Sequence, residues 1–246
     1  MAMDKVIVIT GASEGIGAAL AQKLGATGAT LVLAARREAP LAAVAALSGT
    51  ALAVVTDVTR REQVDRLLAR ALEAHGRVDV WVNNAGRGIT KPVLQLTDED
   101  LDEMMLVNVK SALYGMQAVA PHFRQRKSGQ IVNVSSLLSR IPFAPPRAAY
   151  SAAKHALNAL TANVRMDLRA EVPGVHVTLV LPGVVATGFG TNARGGGADS
   201  RTLPGAQPVD EVAQVIVDAI EKPVDEVYTR PAFAQTIAEY YATTTR

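Results

Sequence analysis

The sequence predicts an α/β fold built on a parallel sheet. Three observations carry that reading. Short β-branched runs recur along the chain, and they are continuously apolar rather than alternating, as in strands covered on both faces. Amphipathic stretches of helical period lie between them. Strand and helix alternate throughout, which calls for parallel strands joined by right-handed crossovers.

The first run is KVIVIT (5–10), and it leads into TGASEGIGAAL, where Gly11, Gly15 and Gly17 precede an apolar helix start. TLVLAA (30–35) and ALAVVT (51–56) are the next strands, followed by a helix over REQVDRLLARALEAHG (61–76) and a strand at VDVWVN (78–83). The stretch 98–123 reads as one long helix, with Thr97 and Asp100 as a capping pair at its start. GQIVNV (129–134) is a strand, 147–170 a long helix, and VHVTLV (175–180) a strand. The segment 187–208 is rich in glycine, and a mobile loop, a lid or a disordered stretch, is expected there, with about 188–206 as a flexible substrate loop. A helix at 209–222, a strand at DEVYT (225–229) and a short helix at 231–242 complete the chain.

With 246 residues, 49% of them hydrophobic, the chain can bury a large core as a single domain over 1–246. It has no cysteine, which excludes disulfides, thiolate metal sites and cysteine nucleophiles and points to a reducing, cytoplasmic home. A net charge of +2 and the lack of a basic stripe give no reason to expect nucleic acid. No apolar run reaches the roughly 18 residues of a membrane helix. His75, His122, His155 and His176 have no metal-ligand spacing, so no metal is expected.

The glycines after the first strand permit a tight turn and close approach of a pyrophosphate, which rests on the positive end of the following helix. The spacing is G-x-x-x-G-x-G rather than the common G-x-G-x-x-G. At the end of the second strand, where an NAD site carries an acid, the chain has Ala35 followed by Arg36 and Arg37. A guanidinium grips a 2′-phosphate well, so the reading favours NADP(H), with NAD(H) left open. Glu14, inside the turn, is the argument on the other side.

With TGASEGIG, NNAG (83–86), NVSS (133–136), YSAAK (150–154) and PGVVAT (182–187) in order, residues 5 to 190 resemble the short-chain dehydrogenase/reductase family. The resemblance implies a Rossmann-like, doubly wound sheet of seven parallel strands with helices on both faces. It also implies a catalytic set of Asn108, Ser136, Tyr150 and Lys154. Tyr150 and Lys154 share a helix face. A phenol titrates near ~10, and a neighbouring cation is expected to lower that by 1–3 units, making Tyr150 the proton donor and acceptor. Ser136 would polarise the substrate oxygen, and Asn108 would support Lys154. Along the cofactor the resemblance places Gly11, Ser13, Glu14, Gly15, Ile16, Gly17, Arg36, Arg37, Asp57 and Val58. It continues through Asn84, Ala85, Gly86, Tyr150, Lys154, Pro182, Gly183, Val185 and Thr187. Ile89, Leu138, Phe143 and Phe189 are expected to line the substrate pocket.

The implied function is interconversion of a ketone or aldehyde with an alcohol. An epimerase or dehydratase acting on a nucleotide-sugar, and a non-catalytic dinucleotide sensor, are the rival readings. Two departures from the family stand out. The interval from Ser136 to Tyr150 is fourteen residues where thirteen is more frequent, with three prolines in 139–149. The chain ends in DEVYTRPAFAQ rather than a VDGG-type turn, which bears on tetramer contacts. A homodimer through the long helices, or a homotetramer, is the expected assembly. Arg194 and Arg201 read as solvated loop charges, the acids at 98–103 as partners of a helix dipole, and Trp81 as core.

Overall fold

The computed structural model describes residues 3–244. In chain order the elements are β1 (Val6–Thr10), α1 (Gly15–Ala26), β2 (Thr30–Ala35), α2 (Glu38–Ala46), β3 (Ala51–Val55), α3 (Arg61–His75) and β4 (Val80–Asn83). Then come α4 (Asp98–Met105), α5 (Ser111–Arg126), β5 (Gly129–Val134), α6 (Ala148–Glu171), β6 (Val175–Leu181), α7 (Val209–Glu221), β7 (Glu226–Tyr228) and α8 (Ala232–Thr244). The seven strands form one parallel sheet in the order β3-β2-β1-β4-β5-β6-β7, a doubly wound Rossmann-like fold.

Alternate strand residues bury into opposite layers. Ile7 and Ile9 of β1 pack with Leu20 and Leu24 of α1 and Ile216 of α7, whereas Val8 and Trp81 meet Leu67 of α3 and Phe123 of α5. Both faces are therefore covered, which is why these strands read as unbroken apolar runs. α3 stops at Gly76, whose φ of 71° places it in the left-handed region. α4 starts at the expected capping box: Asp100 N donates to Thr97 Oγ1 and Thr97 N donates to the Asp100 carboxylate.

The structure departs from the sequence reading in two places. α2 has no counterpart in that reading, because EAPLAAVAA is apolar almost throughout and shows no polar face to set a helical period. The single helix expected over 98–123 is interrupted by a π-helical segment, Leu106–Lys110, between α4 and α5. Such a segment inserts a residue into the helical turn and commonly marks a functional position. Here it carries Asn108, which is 1% exposed.

Candidate active site

Order along the sheet reverses between β1 and β4, and the loops after the strands' carboxyl ends surround one cavity of about 760 Å³. The two turns that open it are locked together. Thr10 Oγ1 donates to Val82 O and accepts from the backbone N–H of Asn84 and Ala85. The Asn84 side chain returns hydrogen bonds to Thr10 O and Gly11 O. Gly11 (φ 67°) leaves no room for a side chain, since a Cβ there would lie 2.8 Å from Ala85 Cα. One strand over, Asn83 Nδ2 donates 2.8 Å to Asn133 Oδ1, joining the end of β4 to that of β5.

The first turn is a cradle suited to a dinucleotide. It has backbone free of side chains, followed by the amino end of a twelve-residue helix with no acid in its first turn. Gly11, Ser13, Glu14, Gly15, Ile16, Arg36, Arg37, Asp57 and Val58 line the cavity at this end. Asn84, Ala85, Gly86, Pro182, Gly183, Val185 and Thr187 continue the wall toward Tyr150 and Lys154. Gly17 stands behind it: a Cβ there would meet Gly11 O at 2.4 Å. Arg37 pairs with Glu14 at 2.8 Å, so the acid that argued against a 2′-phosphate is itself neutralised, while Arg36 is exposed beside them. Asp57 Oδ1 is engaged locally, accepting from Thr59 N and Thr59 Oγ1.

At the other end α6 presents Tyr150 and Lys154 on one face, 7% and 4% exposed. Lys154 Nζ donates 2.9 Å to Val134 O. Ser136 follows β5, accepts from Leu138 N, and stands on the phenol's side of the cavity wall. Ser135 turns the other way, donating 2.6 Å to Asn158. Asn108 Oδ1 accepts from Arg87 N, and its amide donates to Arg87 O and Met104 O. A Cβ built on Gly86 would lie 2.9 Å from Asn108 Oδ1 and 3.6 Å from Lys154 Nζ, so these two groups meet over one glycine.

The electrostatics reverse one expectation. Burial pushes the Tyr150 phenol up to about 12, with Ser136 and then Arg147 acting against it. Lys154 does not lower it, because burial pushes the lysine itself down to about 7. Burial thus keeps Tyr150 protonated at neutral pH.

Leu138, Phe143 and Phe189 line the end of the cavity beside Tyr150, and the Phe189 ring packs edge-on against Tyr150 with centroids 5.4 Å apart. Ile89 is not part of that wall. It is 1% exposed and packs beneath the site with Met104 and Ala149. The loop after β6 is tied down at Arg194, whose backbone pairs with Gly88 and Thr90. Arg194 is no free surface charge: it pairs with Asp100 at 2.7 Å and with Glu103. The acids of α4 thus serve more than a helix dipole, since Lys91 also binds Asp100 and holds that carboxyl down to about 2. Arg201, an exposed loop charge as expected, pairs with neighbouring Asp199. The unusual carboxyl-terminal segment buttresses the pocket: Tyr240 packs on Phe143, Tyr241 donates to Arg140 O, and Phe233 fills the space Gly183 leaves open. Sequence reading did not single out Arg87, Glu103 or Arg147 as cavity residues. Arg147 lay in the proline-rich insert, where no periodic signal existed.

No group of three or more His, Asp or Glu among the described residues is placed to hold a metal, and no described helix is long and apolar enough to cross a membrane. A glycine cradle at a sheet's switch point, continuous with a buried Ser–Tyr–Lys cluster, defines a dinucleotide-binding α/β protein. The short chain dehydrogenase family model matches residues 5–196, and the chain belongs to that family. An uncharacterized oxidoreductase of Staphylococcus epidermidis is 34% identical over 229 residues, covering 93% of this chain and 97% of the relative. A short chain dehydrogenase/reductase from Burkholderia phymatum in complex with NAD superposes with a TM-score of 0.89 at 30% identity, covering 99% of this chain and 95% of that one. An alcohol dehydrogenase from Thermococcus sibiricus, complexed with 5-hydroxy-NADP, gives 0.79 at 29% identity over 92% of this chain and 96% of that one.

Proposed function

We propose that the protein is an NADP(H)-dependent oxidoreductase that interconverts a ketone or aldehyde with an alcohol, with Tyr150 as general acid and base. The observation that carries this reading is the single cavity that runs from the glycine turn and Arg36 to Ser136, Tyr150 and Lys154. The complexes with NAD and with an NADP derivative among its structural neighbours support a nicotinamide dinucleotide, and the alcohol dehydrogenase among them supports the substrate class.

The dinucleotide, when bound, supplies the hydride donor or acceptor. The turn at Gly11–Gly17 and the amino end of α1 would hold its diphosphate, and Arg36 its 2′-phosphate. Ser136 and Tyr150 donate hydrogen bonds to the carbonyl oxygen and fix its position. As that oxygen becomes an alkoxide, far more basic than a phenolate, Tyr150 releases its proton to it. A phenol held near 12 is well suited to this step, because it stays protonated until the alkoxide develops. Lys154, held by Val134 O and facing Asn108 across Gly86, stabilises the phenolate in its ammonium form as the Tyr150 proton passes to the alkoxide.

The test is a panel of ketones, aldehydes and secondary alcohols with NADPH/NADP and NADH/NAD, followed at the absorbance of the reduced nicotinamide. Turnover of carbonyl compounds with preference for NADPH is expected. A preference for NADH that Arg36→Ala leaves unchanged would refute the cofactor assignment.

A further inference from the structure

The substrate end of the cavity contains a cation without a counter-ion. Arg147 immediately precedes α6, three residues before Tyr150, and its side chain is half-buried in the cavity wall. Its Nη1 donates 3.1 Å to Ile89 O. No carboxylate among the described residues lies within ion-pairing distance of it, in contrast to its neighbours. Arg87 pairs with Glu103 at 2.7 Å, and Arg194 with Asp100 and Glu103. Glu103, the acid in the wall at this end, is thus already held by two guanidiniums.

The chain makes room for this side chain. A Cβ on Gly88 would lie 2.8 Å from Arg147 Nη1, and a Cβ on Gly197 would lie 2.8 Å from Nη2. The same Gly88 position is 2.9 Å from the ring of Phe189, which packs against Tyr150. Thr90 Oγ1 lies 2.9 Å from the Gly197 position; it is buried and has no hydrogen-bond partner. Guanidinium and phenol ring therefore flank one aromatic ring, with the orphan hydroxyl beside the guanidinium on the Gly197 side. A guanidinium has five N–H donors, and among the described residues one of them is used, on Ile89 O. Half-burying an unpaired cation costs stability, which a bound anion would recover.

We propose that Arg147 binds the carboxylate of the substrate, so that the enzyme acts on small oxo acids and the corresponding hydroxy acids. This rests on the carbonyl–alcohol reading above and narrows its substrate class. The fork of Arg147 receives the carboxylate, Phe189 packs on the intervening carbons, and the carbonyl oxygen meets Ser136 and Tyr150.

The probes are acetoacetate and 4-oxopentanoate, each against its methyl ester, with NADPH and NADH. Wild type should prefer the acids. Arg147→Gln should lower kcat/KM for the acids by roughly 10- to 100-fold, mostly through KM, and change the esters less than about 3-fold, as loss of a charge-assisted bidentate pair predicts. Arg147→Lys should fall between, and Arg140→Gln, which removes an arginine paired with Glu226 outside this end, should match wild type. Calorimetric titration of pentanoate, which has no carbonyl, supplies a readout free of turnover. Binding is expected in wild type and should be lost in Arg147→Gln. Equal pentanoate affinity in both proteins, or an acid-to-ester ratio that Arg147→Gln leaves unchanged, overturns the proposal. If neither acids nor esters are reduced while pentanoate binding still depends on Arg147, the anion site stands and the carbonyl reading falls.

Discussion

The Lys154 ammonium lies 5.7 Å from the centre of the Tyr150 ring, one turn further along α6, and donates its hydrogen bond to the β5 carbonyl of Val134 rather than to the phenol. The pair is adjacent without being bonded. The lysine therefore leaves the phenol protonated.

Tyr150→Phe removes the acid while keeping the ring that packs on Phe189. Loss of a positioned general acid costs about 10²- to 10⁴-fold in rate. Steady-state kinetics should show a fall in kcat within that range, while fluorescence titration of NADPH should give an affinity within about 3-fold of wild type. Unchanged activity with intact cofactor binding would place the protein among dinucleotide sensors instead.

Burial of Lys154 has a sign that can be measured. Its folded-state value is lowered, from 10.5 to about 7, so between those pH values the unfolded chain binds more protons than the folded one. Stability from this group rises with pH across that window, and its cost is greatest below pH 7. Lys154→Met should therefore melt above wild type at pH 6, measured without cofactor, at roughly 2–4 °C for each kcal/mol gained. The gap should shrink toward pH 10. A gap that widens with pH would contradict the buried-cation account.

Much of this arrangement is legible in the sequence, for definite physical reasons. A parallel strand buried on both faces must be apolar at every position, so Val6–Thr10 and Gly129–Val134 announce themselves. Thr97 and Asp100 mark a helix start because orphan N–H groups need those side chains. Gly11 and Gly17 are legible because backbone crowding excludes a Cβ. Other features leave no local trace. The π segment at Leu106–Lys110 depends on how Asn108 is drawn toward Arg87, across 21 residues of chain. The direction of the Tyr150 shift depends on burial that only the folded chain creates, which no spacing encodes. Arg147 becomes a cavity residue because Gly88 and Gly197, remote in sequence, make space for it.

Gly17→Ala tests the crowding directly. The added Cβ would lie 2.4 Å from Gly11 O, 2.7 Å from Asn84 Nδ2 and 3.0 Å from Ala12 Cα. Two of the three are backbone, so the turn must shift as a unit. Overpacking of this kind costs about 1–3 kcal/mol. Urea denaturation should show that loss, and NADPH affinity should drop with it, because the displaced backbone is the floor of the cradle. Wild-type stability in this variant would mean that the turn is more pliable than its contacts indicate.

The last prediction concerns the ends of β1 and β2. Arg37 is held by Glu14 at 2.8 Å, whereas Arg36 is exposed at the rim of the same cavity. If Arg36 is the residue that meets a 2′-phosphate, Arg36→Ala should weaken NADPH binding by about 10-fold or more, the range of one charge-assisted contact, and leave NADH within about 2-fold. Arg37→Ala should do more than remove a second cation. It releases the Glu14 carboxylate, which then faces the phosphate unneutralised, so its effect on NADPH should equal or exceed that of Arg36→Ala. Glu14→Gln in the Arg37→Ala background should restore part of that loss. Isothermal titration of both dinucleotides into the four proteins distinguishes the cases. A Glu14→Gln change that fails to rescue Arg37→Ala would show that the ion pair has no part in cofactor choice.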